Sequence, residues 1–317
     1  MTLIEIFKTN RPDLAAGTLR TYSSIVRNLA KQMSIALDKP TDVIHHEKAI
    51  MAHLKDVEPK TRKTRLACLI VFIDKEKTKE AEGAIKCFRD LMTTDAKEAS
   101  AVIDEQKLTA RQQEGMMSWD QVMDMYLGLE KEVQPLMKRA SLDKYQFQKC
   151  QMYVLLSCLV LIPPRRSLDY AEFKIKNVDP EKDNFWKLEK KKAYFVFNVY
   201  KTARKYKTQQ EEIPTKLMNI IKAWSKINPH EYLLMNSKQS AKINSTQLSN
   251  MLHDFFKKPT STSLLRHIYL SNKYKDIPAL KEMKDTAEAM GHSVEEGLRY
   301  VKSSLKHTMS NSTSSAF

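Results

Sequence analysis

The sequence predicts a mainly α protein with a small β-hairpin or sheet, an α+β fold of two compact units. Three observations carry that expectation. Only 6 of the 317 residues are glycine, too few for a glycine-rich nucleotide-binding or all-β architecture. Apolar residues recur at helical spacing along most of the chain. One stretch, Tyr194 to Lys201 (YFVFNVYK), reads clearly as a strand. The length exceeds one average domain and falls short of three, so two cores are expected.

From Thr18, TLRTYSSIVRNLAKQM places Leu19, Tyr22, Ile25, Val26 and Leu29 on one face of an amphipathic helix. Its basic residues Arg20, Arg27 and Lys31 are spaced by seven and four, which puts them on another face with no acidic residue between them. A second basic cluster, PKTRKTR (Pro59 to Arg65), contributes Lys60, Arg62, Lys63 and Arg65 ahead of the apolar run LACLIVFI, as in a helix with a solvated first turn and a buried remainder. One or two further helices and a polar connector are expected between Lys75 and Gly115.

A new amphipathic pattern starts at Ser118, a good N-cap, with Trp119, Val122, Met123 and Tyr126 on one face. The longest apolar run, Met152 to Pro164, is too short to cross a bilayer and reads as a buried core helix closed by two prolines. After the strand comes a return stretch, Glu211 to Pro214, then helices at Thr215 to Lys226, Ser245 to Lys257, Ser263 to Asn272, Pro278 to Met290 and around Ser293 to Leu305. The expected organisation is a helical domain over 1–110, a second domain over 111–307 and a polar tail over 308–317.

No membrane partner is expected, and the first residues lack a secretory signal pattern, so the expected location is intracellular. Cys68, Cys87, Cys150 and Cys158 stand singly in apolar settings and read as reduced core residues, with neither a zinc site nor a disulfide framework. The formal net charge of +15 favours a polyanionic partner, nucleic acid first, because Lys and Arg facing phosphates release condensed counterions. After Gly115 there are 33 basic against 21 acidic residues, net +12, so most of the excess lies in the C-terminal two-thirds.

Four separated elements supply what phosphodiester transesterification needs: PPRRSLDY with Arg165 and Arg166, Lys201 at the end of the strand, SLLRHIYLS around Arg266, and MGHSVEEGLRY from His292 to Tyr300. Singly each has a plain structural reading: a Lys ending a strand solvates it, an Arg pair after a helix caps it, a Tyr on an amphipathic helix packs. Their order along the chain is the signal.

In that order they resemble the tyrosine recombinase (phage integrase) family: an Arg followed three residues later by an acid, a hairpin Lys, a His-x-x-Arg-His box, and Gly-His-Ser before the Tyr. Arg166 with Asp169 is similar to the first box, with Arg165 a possible substitute. Lys201 is similar to the hairpin Lys, with Lys205 and Lys207 less well placed. Arg266-His267 matches the third box, but Ser263 stands where the family has His, and a hydroxyl cannot carry a proton at neutral pH as imidazole can. His292 fits the fourth box, and Tyr300 follows it by eight residues, one fewer than usual. PPRRSLDY is also similar to integrases of large DNA viruses and their satellite viruses.

The resemblance implies a helical core-binding domain followed by a tyrosine-recombinase catalytic domain, closing as a C-shaped clamp on double-stranded DNA and acting as a homotetramer through a Holliday junction. Chemically, Arg166 and Arg266 would clamp the anionic phosphodiester. Tyr300 would attack phosphorus and keep the bond energy in a reversible ester. Lys201 would protonate the leaving 5′-oxygen. His292 would hydrogen-bond the phosphate or help deprotonate Tyr300, and His267 would support the site. The scheme needs no metal and no cofactor. The competing expectations are a type IB topoisomerase, which shares this chemistry, and a catalytically decayed recombinase kept as a DNA-binding protein, which the Ser263 departure would mark.

Overall fold

In a computed structural model describing residues 1–104, 106–290, 293–295 and 298, the protein is mainly α with one small mixed sheet. Two compact units separate between Lys107 and Leu108.

The first unit begins with α1 (Leu3–Asn10), started by a reciprocal capping box between Thr2 and Glu5. There follow α2 (Ala16–Met33), α3 (Pro40–His45), α4 (Glu47–Lys55), α5 (Pro59–Ile73) and α6 (Lys79–Asp104). Its core gathers Phe7, Val26, Leu29, Ile50, Leu69 and Phe72. The Phe7 ring lies 5.4 Å from Tyr22 and 5.3 Å from Phe72, which locks α1 against α2 and α5. Asn10 donates both amide hydrogens, each at 2.8 Å, to the Val71 and Phe72 carbonyls, satisfying groups that the end of α5 leaves without helical partners.

The second unit opens with α7 (Ala110–Gly115) and α8 (Trp119–Val133), the latter started by the expected Ser118 cap in a box with Gln121. A short 3-10 turn leads to α9 (Lys144–Val160), buried at every position from Cys150 to Val160, as a helix apolar on all sides must be. α10 (Ser167–Ala171) is followed by β1 (Phe173–Lys174), β2 (Asn184–Glu189), β3 (Lys192–Phe197), the single turn α11 (Ala203–Tyr206) and β4 (Gln209–Ile213). The sheet runs β1-β2-β3-β4, with β1 parallel to β2 and the other pairs antiparallel. α12 (Thr215–Ile227), α13 (Ser245–Phe256) and α14 (Thr262–Lys273) complete the unit. Phe147, Phe173, Phe195, Phe197 and Trp224 fill its core. Along the chain α15 (Leu280–Ala289) comes next and groups with the first unit, its first N–H donating to Gln106 Oε1 at 3.0 Å.

Three expectations need correction. The hairpin is part of a four-stranded sheet, because Asn184–Glu189 forms a strand that the sequence reading did not assign. The two-residue turn joining it to β3 is Lys190–Lys191, with Lys190 in the left-handed region at φ 54°, and so lacks the Asn-Gly signal that marks such turns. Lys201 does not end the strand: β3 stops at Phe197, and Lys201 stands four residues beyond it in the turn to β4. Cys87 is exposed on α6, whereas Cys68, Cys150 and Cys158 are buried. Among the described residues no helix is long and apolar enough to cross a membrane.

Candidate functional site

The Pro163–Pro164 pair stops α9 and sends the chain out in extended form, since proline cannot continue the helical ladder. The buried Tyr170 hydroxyl pins this exit: it donates to the Cys158 carbonyl at 3.0 Å and accepts the Arg165 N–H at 3.1 Å. Arg166 is then the N-cap residue of α10. Ser167 Oγ and Thr262 Oγ1, 2.8 Å apart, tie the start of α10 to the start of α14. Thus Arg166 and Arg266, 100 positions apart, line one cleft together with Arg165, Asp169 and Glu211.

The two neighbouring arginines meet different surroundings. Arg165 donates from Nε to Asp169 Oδ2 at 2.8 Å and from Nη2 to Gln209 Oε1 at 2.9 Å, while its plane lies 3.9 Å from the Phe197 ring centroid. Arg166 and Arg266 make no hydrogen bond or ion pair among the described residues, although both are half-buried. Guanidiniums held at the wall of a cleft with their forks open are suited to a tetrahedral oxyanion such as a phosphodiester.

Two carboxyls stand beside them. Asp169 is 2% exposed, and its Oδ1 has no hydrogen-bond partner among the described residues. Burial pushes the Asp169 carboxyl above its ordinary range, against the pull of Arg165 first and then of Arg166 and Arg266. Glu211, on β4, is likewise pushed up by burial and drawn back by Arg165. The cleft thus sets three arginines beside two carboxyls that burial pushes toward their protonated forms.

Asn184, fully buried at the start of β2, braces the site from behind. Its amide donates to the Asp169 carbonyl at 3.0 Å and the Val199 carbonyl at 2.7 Å, and its Oδ1 accepts from the Asn198 and Val199 N–H groups. Asn184, Tyr200, Gln209 and Glu211 were not singled out in the sequence. The one local signal was Asn184 itself, a polar residue opening an otherwise apolar NFW run.

The remaining expected site residues divide as follows. Lys201 is exposed in the β3–β4 turn, adjacent to Tyr200 and Thr202, which line the cleft. Lys205 and Lys207 are exposed in the same turn, with Lys205 Nζ 5.0 Å from the Tyr206 ring. Ser263 and His267 are exposed on α14 and are not among the residues lining the cleft. His292 and Tyr300 lie outside the described residues.

On the first unit, Arg20, Arg27 and Lys31 of α2 and Lys60 and Lys63 of α5 are all exposed. Arg65 donates to Gln32 Oε1 at 3.2 Å, joining the basic residues of α5 to those at the end of α2. Arg62 is otherwise employed. It forks onto Asp95 of α6, with Nε to Oδ2 at 2.8 Å and Nη2 to Oδ1, and its Nη1 reaches the Lys55 carbonyl at 2.7 Å. Its side chain is only 12% exposed, so Arg62 is corrected from a DNA contact to an internal tie between α5 and α6.

Fold and cleft together define a mainly α protein with a small sheet and an arginine-lined cleft in its second unit. No protein-family model matches the chain, and no curated protein matches it.

Proposed function

We propose that this chain is a DNA strand transferase of the tyrosine recombinase type, with a helical core-binding domain and a catalytic domain, acting on double-stranded DNA inside a cell as a homotetramer on paired sites. The observation that carries the reading is the convergence of Arg166 and Arg266 on one cleft, where neither guanidinium has a hydrogen-bond or ion-pair partner among the described residues. In the reaction, Tyr300 Oη attacks the scissile phosphorus and gives up its proton with help from His292. The Oη–P bond forms as the P–O5′ bond breaks, Lys201 protonates the departing 5′-oxygen, and a 3′-phosphotyrosyl ester remains for the partner strand's 5′-hydroxyl to reverse. Arg166 and Arg266 hold the negative charge that builds on the non-bridging oxygens.

The test is to incubate the protein and Tyr300→Phe with fragmented genomic DNA, quench with detergent, and sequence protein-linked fragments. Adducts at defined sequences with wild type and none with Tyr300→Phe are expected. Tight DNA binding with no adduct from either protein would favour a second reading, a recombinase-derived DNA-binding protein. The exposed Ser263 hydroxyl, apart from the cleft lining where the family's box carries His, is the observation that supports it.

A further inference from the structure

We propose that Arg165 is a positioning residue that holds the β3–β4 turn, and with it Lys201, against the cleft formed by Arg166 and Arg266. The proposal rests on the strand-transfer reading of that cleft. Phe197 and Gln209 are the last pair of the β3–β4 ladder, the two residues at the mouth of the turn 198–208. Arg165 grips both: its face covers the Phe197 ring and its Nη2 donates to Gln209. Its Nε fastens the other side to Asp169 of α10, three positions from Arg166.

The grip extends to Lys201 through one residue. The Tyr200 ring centroid lies 5.3 Å from the Arg165 guanidinium, and its hydroxyl donates across the turn to the Lys207 carbonyl at 2.6 Å. Tyr200 is 6% exposed, so the backbone that carries Lys201 leaves a fixed point. A guanidinium serves this purpose as an ammonium does not, because the planar fork donates in two directions while its face stacks. Nε, Nη2 and the stacking face of Arg165 are engaged inside the protein and its side chain is 18% exposed, so its position is set by Asp169, Gln209 and Phe197. Arg166 keeps the role of phosphate ligand.

A general acid can be tested through the leaving group, since a 5′-thiolate departs without a proton where a 5′-alkoxide does not. Arg165→Met, Arg165→Lys, Lys201→Ala and Arg166→Ala are compared on two duplexes carrying the mapped cleavage site, one with oxygen and one with sulfur at the bridging 5′ position. The expected result for both Arg165 variants is an adduct rate lowered on the order of 10-fold or more on oxygen and restored on sulfur, as for Lys201→Ala, with DNA affinity unchanged. Arg166→Ala is expected to stay slow on both. An equal defect on both duplexes would make Arg165 a phosphate ligand, and no defect would remove its role.

Hydrogen–deuterium exchange over 198–208 supplies a readout independent of cleavage, with faster exchange expected in Arg165→Met and in Arg165→Lys than in wild type. Unchanged exchange overturns the proposal even if cleavage is impaired. If wild type cleaves neither duplex, the strand-transfer reading falls, while the exchange comparison still decides whether Arg165 holds the turn. Should Arg165→Met fail to fold, Arg165→Lys keeps the charge, loses the fork and carries both comparisons.

Discussion

Arg62 forks onto an Asp95 side chain that is 1% exposed, so removing the guanidinium strands a buried carboxylate. Arg62→Ala is expected to cost about 3 kcal/mol of stability by urea denaturation. The same change at the exposed Lys60 should leave the urea midpoint in place, and similar midpoints for both would show that the Arg62 pair contributes nothing. Glu211 makes an opposite case. Burial raises its carboxyl above the ordinary 4.5, so the folded state holds the proton more tightly than the unfolded chain does. The stability this contributes is fully present below about pH 4.5 and is lost as pH rises through the raised folded value. Glu211→Gln, neutral throughout, should therefore melt higher than wild type by a margin that widens from pH 4.5 toward neutrality. A margin constant with pH would mean that Glu211 titrates as it does in the unfolded chain. Neither behaviour was legible from the residues alone: PKTRKTR shows a basic helix start, but which of its side chains turns inward depends on where α6 lies.

Two elements set the geometry of the cleft. α14, which carries Arg266, follows the Pro259–Ser261 loop, and Gly115 at the end of α7 lies directly against that loop. A Cβ at position 115 would stand 2.7 Å from the Pro259 carbonyl oxygen and 2.6 Å from Leu264 Cδ2, so backbone must move to admit it. Gly115→Ala is expected to destabilise the protein by about 1–3 kcal/mol in chemical denaturation; wild-type stability would show that the loop yields freely. The basic face of α2 and α5 has a different signature. Each phosphate contact contributes about 0.9 to the slope of log affinity against log salt, so Lys60→Ala combined with Lys63→Ala should make the slope for duplex DNA shallower by about 2. An unchanged slope would exclude that face from the DNA contact. The helices themselves follow from caps and period, as at Ser118 and along α9. β2 escaped because a Lys–Lys turn and a strand opened by asparagine carry neither the turn signal nor the alternation by which strands are read.

At the scale of the molecule, the proposed strand-transfer function would draw on both the net charge of +15 and the arginine-lined cleft of the second unit, since each would suit a phosphate-bearing polymer. If the strand-transfer reading holds, the adduct experiment should separate Tyr300→Phe, which keeps every described cation and is expected to bind DNA as wild type does, from wild type, which cleaves it. Loss of binding in Tyr300→Phe would instead place that residue in the DNA contact.

From the sequence alone came the mainly α class, the small sheet around Tyr194, the buried helix before the prolines and the set of arginines worth following. The helices and the strand reflect interactions within a turn or two of chain, which period, caps and composition record, whereas the arginines were singled out by the order in which their motifs resemble the recombinase boxes. The tertiary structure decided which of two adjacent arginines is left without a hydrogen-bond partner among the described residues. Arg165 is occupied by Gln209, 44 positions away, as Arg62 is by Asp95, 33 positions away. A guanidinium's availability is set by the acceptors and rings that folding brings to it, and such partners leave no mark on the residues beside it in the chain.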